Sequence, residues 1–251
     1  MEWQDEAIII GVRRHGEASV ILVAMTRQRG RHLGLVRGGR SVRNQPVLQP
    51  GNIVQLTWSA RLEEQLGHYR VEPVTSHAAR LMASPLALYG MALAASHLRL
   101  LSEREPHPGL YEATKVLIAH LDEPDIAPAL MVRFELAILG ELGFGLDLTS
   151  CAVTGARESL THVSPRSGRA VSAEAAAPYE GRLLALPVFL SQGQGVAQPT
   201  PAMLRDGFAL TGHFLRRDLW GPRDLPEPPE RERLIALLND VQRVATGRNS
   251  S

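Results

Sequence analysis

Met25-Thr-Arg-Gln-Arg-Gly-Arg-His-Leu-Gly-Leu-Val-Arg-Gly-Gly-Arg-Ser-Val-Arg43, followed by Gln49-Pro-Gly-Asn-Ile-Val54, is the stretch on which the reading of this chain turns. Arg27, Arg29, Arg31, Arg37, Arg40 and Arg43 stand among Gly30, Gly34, Gly38 and Gly39, and no acidic residue falls between Arg27 and Asn52. Glycines free the backbone for tight turns, so the pattern reads as a basic loop system between short strands. With Arg13 and Arg14 the segment holds eight arginines against one acid, Glu17, while the whole chain is only +1. Planar guanidinium groups on such loops can grip phosphates with two hydrogen bonds each, which points to a polyanionic partner such as nucleic acid. The plainer alternative is a solvated surface; the interleaved glycines and missing carboxylates favour binding.

Working outward, Ala7 to Val12 is apolar and β-branched, Arg13-Arg-His-Gly-Glu17 makes a turn, and Ser19 to Thr26 is a second apolar run. Together they predict a β-hairpin. Residues 31–37 form a third strand and Ile53 to Arg61 a fourth, in which Val54, Leu56, Trp58 and Ala60 alternate with Gln55, Thr57, Ser59 and Arg61. A fifth runs from His68 to Val74. Five short strands in this span predict a small barrel, with the OB-fold the natural five-stranded form and an SH3-like barrel the alternative. The predicted class is therefore α+β, with a barrel over residues 1–80 and a mainly helical domain over 81–251.

After Ser76 the texture turns helical. Ser84-Pro85 is a capping start for a nearly all-apolar run from Leu86 to Leu101, and Leu110 to Leu121 is a second helix. A third begins after Pro128 and stops at Leu142-Gly-Phe-Gly145. Residues 147–198 are irregular, with turn signals at Ser164 to Arg169 and Gly193-Gln-Gly195, and are read as short strands and loops. Thr200-Pro201 opens a helix carrying Leu204, Phe208, Leu215 and Leu219 inward. A last amphipathic helix carries Leu234, Leu237, Leu238, Val241 and Val244.

The apolar fraction of 44% excludes a disordered chain, and one cysteine excludes internal disulfides and a multi-cysteine metal cluster. Met1-Glu-Trp-Gln-Asp-Glu lacks the basic start of a signal peptide, and no run approaches the roughly 20 apolar residues that span a bilayer. A cytoplasmic, nucleoid-associated protein with no membrane contact is expected. No nucleophile elbow, phosphate loop or His-Glu-x-x-His helix is present, so an enzyme, with a site in 147–198, is the weaker reading. No cofactor is expected.

The Gly16-Glu17 turn, Gly30, Arg37-Gly-Gly-Arg40, Leu48-Gln-Pro-Gly51, the strand through Trp58, Glu135 to Gly145 and Cys151-Ala-Val-Thr-Gly155 come in an order that resembles the RecO family of bacterial recombination mediators. The resemblance implies an N-terminal OB-fold and a helical C-terminal region that in many relatives carries a four-cysteine zinc module. Here only Cys151 matches a ligand position and Thr154 stands where the second would fall, so the insertion is expected to be metal-free. The resemblance also implies binding of single- and double-stranded DNA, strand annealing, contact with the C-terminal tail of single-strand-binding protein, and cooperation with RecR to load RecA. DNA contacts are carried onto Arg27, Arg29, Arg31, Arg37, Arg40 and Arg43, then Arg13 and Arg14. Arg99, Arg133, Arg205, Arg216 and Arg217 are candidates for the acidic tail. Stacking contributes little, since Trp58 points inward and only Tyr69 and Trp3 offer base platforms. The competing binding module is an OB-fold RNA-binding or ribosome-associated protein.

Overall fold

The computed structural model describes residues 1–179, 181–191 and 198–248, with side chains as far as residue 238. Two compact units divide the chain, Met1–Asp122 and Glu123–Ser251.

In the first unit, β1 (Glu2–His15), β2 (Ser19–Thr26), β3 (Gly30–Val36), β4 (Ile53–Ser59) and β5 (His68–Thr75) close a barrel in the order β1-β2-β3-β5-β4. β4 pairs back onto β1, which is the OB-fold arrangement and decides between the two barrels considered above. β4 reads as its alternation predicts, with Val54, Leu56 and Trp58 buried and Gln55, Thr57 and Ser59 partly exposed. β1 starts earlier than its apolar run because Trp3 to Glu6 pair with Trp58 to Gln55. β3 and β5 meet at one register pair, Leu35 with His68, so the barrel is least tightly closed there.

The barrel interior holds a polar exception. His32 is buried, its Nδ1 lies 2.7 Å from the Tyr69 hydroxyl, and the rings of Trp3, Trp58 and Tyr69 surround it at 5.0 to 5.9 Å. Burial pushes the His32 imidazole down to about 4, and the positive charges of Arg104 and Arg29 push the same way. Burial also raises the Tyr69 phenol, so it keeps its proton and can donate to the neutral ring. A histidine held below its free value of about 6.5 stabilises the fold fully above that pH, and the contribution is lost as pH falls toward 4. The stability difference between wild type and His32→Phe, measured by urea unfolding, is therefore expected to narrow by about 2 kcal/mol between pH 7 and pH 4. A pH-independent difference would overturn this assignment.

Helices α1 (Ala78–Met82), α2 (Pro85–Leu98) and α3 (Pro108–His120) complete this unit. The α2 start is capped as the sequence predicts, Ser84 Oγ accepting from the Ala87 N–H at 3.3 Å. Buried Asn52 ties the segment after β3 to the exit of the barrel. Its Oδ1 accepts from His77 and Ala78 N–H at 2.8 and 2.9 Å, and its Nδ2 donates to Pro46 and Val47 carbonyls.

The second unit begins with α4 (Ala127–Glu141), followed by a small sheet in the order β7-β6-β8 (Ala170–Ser172, Leu160–Val163, Leu184–Ala185). α5 (Ala173–Ala176) is one turn; α6 (Pro201–Phe214) continues into a π-helical stretch, Leu215–Trp220, and α7 (Pro229–Arg248) follows. Thr200 caps α6 as predicted, and Phe208, Leu215 and Leu219 are buried, with Leu204 only partly so. Leu234 is buried as expected, whereas the side chains of Val241 and Val244 and the Gly193-Gln-Gly195 turn lie outside the described residues.

Cys151 is buried against Val171 and Ala176. Its Sγ accepts from Thr154 N–H at 3.5 Å and Ser172 N–H at 3.3 Å. A tetrahedral zinc site needs four sulfur or nitrogen ligands, and one thiol already engaged by two backbone donors, beside a threonine, does not supply it.

Candidate nucleic-acid interface

The β2–β3 hairpin sorts the eight predicted arginines into two groups. β2 has 8 residues, so at about 3.3 Å per residue its ends lie roughly 25 Å apart. Arg27, Arg29 and Arg31 belong to the hairpin tip, where Thr26 pairs with Gly30. Arg13, Arg14, Arg37, Arg40 and Arg43 belong to the other end, where His15 pairs with Ser19 and Val20 with Val36.

At the tip the arginines are engaged within the unit. Arg27 meets Glu112 at 3.2 Å, and the Arg29 guanidinium lies 5.0 Å above the centre of the Trp3 ring. Arg31 turns inward; its Nε donates to the Leu101 carbonyl at 2.8 Å and its Nη1 to Glu103 at 3.2 Å, leaving the side chain 17% exposed. Asp5 stabilises the turn by accepting from the Gln28 N–H at 2.8 Å.

The other end has a different electrostatic character. Arg13, Arg14, Arg37, Arg40 and Arg43 are all exposed. The segment after β3 is anchored by the Arg40 N–H to the Ala18 carbonyl at 3.1 Å, and the Arg40 guanidinium donates to the Glu17 carbonyl. Gly39 is required there because a Cβ would stand 2.5 Å from Val20 Cγ2. Two clefts open beside this segment. One, of about 610 Å³, has Arg37, Arg43 and Arg70 with Val36, Val47 and Val71 in its lining. The other, of about 470 Å³, has Arg14 and Arg40 with Gln45, Gln49 and Val12. No carboxylate lines either cleft.

Arg70 was not predicted. The alternation of β5 carries the signal, since Tyr69 is inward and His68 and Arg70 are exposed neighbours. Arg70 lies 3.5 Å from Glu72, but both side chains are more than 60% exposed, where such a pair is worth little. Arg37 Nη2 lies 3.4 Å from His68 Nε2 on the same rim.

The aromatic platforms need correction. Tyr69 is 5% exposed and engaged with His32, so it cannot stack on a base. Trp3 is stacked on Trp58 at 5.6 Å with Arg29 over its ring. Trp58 is inward as predicted, donating from Nε1 to the Leu66 carbonyl at 3.0 Å. Among the arginines considered for an acidic tail, Arg99 donates to the Ile10 carbonyl, Arg133 to the Phe189 carbonyl, Arg216 pairs with Glu227 and Arg217 with Asp218.

Among the described residues, no three His, Cys, Asp or Glu side chains gather as a metal-holding group, and no helix is long and apolar enough to cross a membrane. An exposed basic barrel end whose two clefts are lined by no carboxylate suits a polyanion better than a small neutral substrate.

Comparison with known proteins gives the family of the chain. Residues 1–77 match the family model described as recombination protein O N terminal, and residues 84–224 match recombination protein O C terminal. The chain is similar to the DNA repair protein RecO of Methylobacterium nodulans, 60% identical over 240 residues that cover 94% of this chain and 98% of that one. It is 59% identical to the DNA repair protein RecO of Chelativorans sp. over 95% of this chain and 96% of the relative. It is 56% identical to that of Methylocella silvestris over 96% and 98%. With both halves matched in order and near-complete coverage, the chain belongs to the RecO family of DNA repair proteins.

Proposed function

We propose that this chain is a recombination mediator that binds single- and double-stranded DNA, anneals complementary strands and, with RecR, helps load RecA onto DNA coated with single-strand-binding protein. The observation that carries the reading is the pair of clefts at one barrel end that no carboxylate lines, with Arg37, Arg43 and Arg70 in one and Arg14 and Arg40 in the other, and Arg13 exposed at the same end. Arg27 and Arg29, exposed at the hairpin tip, extend the contact, while Arg31 serves mainly to hold the 101–105 segment. Binding is electrostatic: guanidinium groups neutralise two phosphate backbones, lower their repulsion and leave base edges free to pair. No covalent bond is made or broken in this scheme.

The test is a fluorescence annealing assay with two complementary oligonucleotides across a salt series. If about four arginines reach phosphates, the slope of log affinity against log salt on single strands is roughly −3. Arg37→Ala with Arg40→Ala is expected to lower annealing about tenfold or more near physiological salt and to flatten that slope. Annealing unaffected in the folded double variant would remove the site from this barrel end, and annealing absent from the wild type at low salt would remove the activity.

A further inference from the structure

The segment between β3 and β4 partitions the basic end of the barrel. Asn44 and Gln45 N–H both donate to the Ser41 carbonyl and Leu48 N–H to the Asn44 carbonyl, so residues 41–49 are coiled with helix-like spacing. In such a coil, residues four apart share a side and residues two apart face opposite ways. Arg43 and Val47 accordingly line the cleft of about 610 Å³, whereas Gln45 and Gln49 line the cleft of about 470 Å³. Leu48 contributes to both floors, and Val42, 87% exposed, projects from the coil and lines neither.

Each cleft has its own positive charge. Arg37, Arg43 and Arg70 serve the first, and Arg14 and Arg40 the second. Two of these, Arg40 and Arg43, sit on the partition itself. Two phosphate backbones laid side by side repel, and positive charge placed between them offsets that repulsion where it is strongest.

We infer that one chain holds two nucleic-acid strands at once, one in each cleft, with residues 38–48 as the divider. This deepens the proposed DNA binding and rests on it. Annealing then starts from two strands already side by side on one molecule, so the protein raises their effective concentration as well as screening their charge. The coil keeps its shape without DNA, since Asn44 Nδ2 donates to the Gly38 carbonyl at 3.0 Å and Gln45 Nε2 to the Arg40 carbonyl at 3.0 Å.

The experiment uses short oligothymidylates, which cannot pair with one another and are too short to reach both clefts. One population carries a donor dye, the other an acceptor, and sedimentation velocity reports the number of chains in each particle. The expected result is two oligonucleotides per chain, with energy transfer in particles that contain one chain. Arg43→Glu with Arg70→Glu, and separately Arg14→Glu with Arg40→Glu, each reduce the stoichiometry to one and abolish energy transfer. The remaining site still binds one oligonucleotide, with its affinity lowered less than at the substituted site, because Arg40 and Arg43 on the partition also act on the neighbouring cleft. All four substitutions together lower binding by about a hundredfold or more. These residues are exposed, and circular dichroism checks that each variant is folded. One oligonucleotide per wild-type chain, energy transfer only in particles of two chains, or both double variants weakening a single shared site would overturn the two-strand inference while leaving DNA binding in place. No binding at low salt would instead overturn the DNA-binding reading beneath it.

Discussion

Glu135→Leu is expected to destabilise the second unit by about 3–5 kcal/mol, the range for stranding one member of a buried ion pair. Glu135 on α4 is 0% exposed and Arg231 on α7 is 2% exposed. The carboxylate accepts from Arg231 Nε at 2.8 Å, from Arg231 Nη2 at 3.1 Å and from the Thr211 hydroxyl on α6. Arg231 also donates to the Phe208 carbonyl at 2.6 Å and to Glu227 at 3.0 Å. Gly212 leaves the room, since a Cβ there would stand 2.8 Å from the guanidinium. One ion pair thus joins three helices that are far apart in sequence.

The stranded charge carries most of that effect. Burial alone lowers the Arg231 pKa, and the Glu135 and Glu227 carboxylates more than reverse this, so the guanidinium remains charged. Once Glu135 is removed, Glu227 alone faces it, from a position that is 33% exposed. Glu135→Leu combined with Arg231→Met removes both charges, and is expected to recover more than half of the loss because apolar groups of similar volume can replace a buried pair. Hydrogen exchange of peptides from α4 and α6 across a urea series reads the change in this unit. A loss below about 1 kcal/mol in the single variant, or no recovery in the double, would show that the pair is not an isolated buried charge couple.

Neighbouring residues decided what was legible in the sequence. Val54, Leu56 and Trp58 announced β4 by alternation, and Ser84-Pro85 and Thr200-Pro201 announced helix starts, because those signals act over two to four residues. The arginine stretch was legible as basic, but its reading as one loop system overlooked the consequence of the hairpin itself. Antiparallel pairing of Ser19 to Thr26 with Gly30 to Val36 sends residues 27–31 to one end and residues 37–43 to the other. Arg31 turns inward toward Leu101, 70 residues later, and Glu135 pairs with Arg231, 96 residues later. No local pattern encodes partners at that separation. Tyr69 is different, since the alternation in β5 that exposes Arg70 also places Tyr69 inside.

Gly30→Ala is expected to destabilise the barrel by about 3 kcal/mol or more, while Gly38→Ala costs about 1 kcal/mol. The two glycines have nearly the same backbone, φ +65° and +64°, so both substitutions incur the left-handed penalty of a side chain. Their surroundings differ. A Cβ on Gly38 meets nothing within 4 Å, whereas on Gly30 it would lie 1.7 Å from the Glu105 carbonyl oxygen and 2.5 Å from its carbon. Backbone cannot rotate away as a side chain can, so the 101–105 segment must leave β3. That segment is held by the Arg104 N–H to the Arg31 carbonyl at 2.8 Å and by Arg31 to Leu101 and Glu103. It already contains Arg104 at φ 64°, a conformation that costs a non-glycine residue about 1–2 kcal/mol and persists because these contacts enforce it. Displacing the segment therefore removes Arg31 from its internal partners as well as introducing a clash. Thermal unfolding of the two variants side by side reads the difference, and equal shifts would mean that the close approach of Glu105 contributes nothing. Below its melting temperature Gly30→Ala should still anneal strands, because the altered end of the hairpin lies a full strand length from Arg37, Arg40 and Arg43.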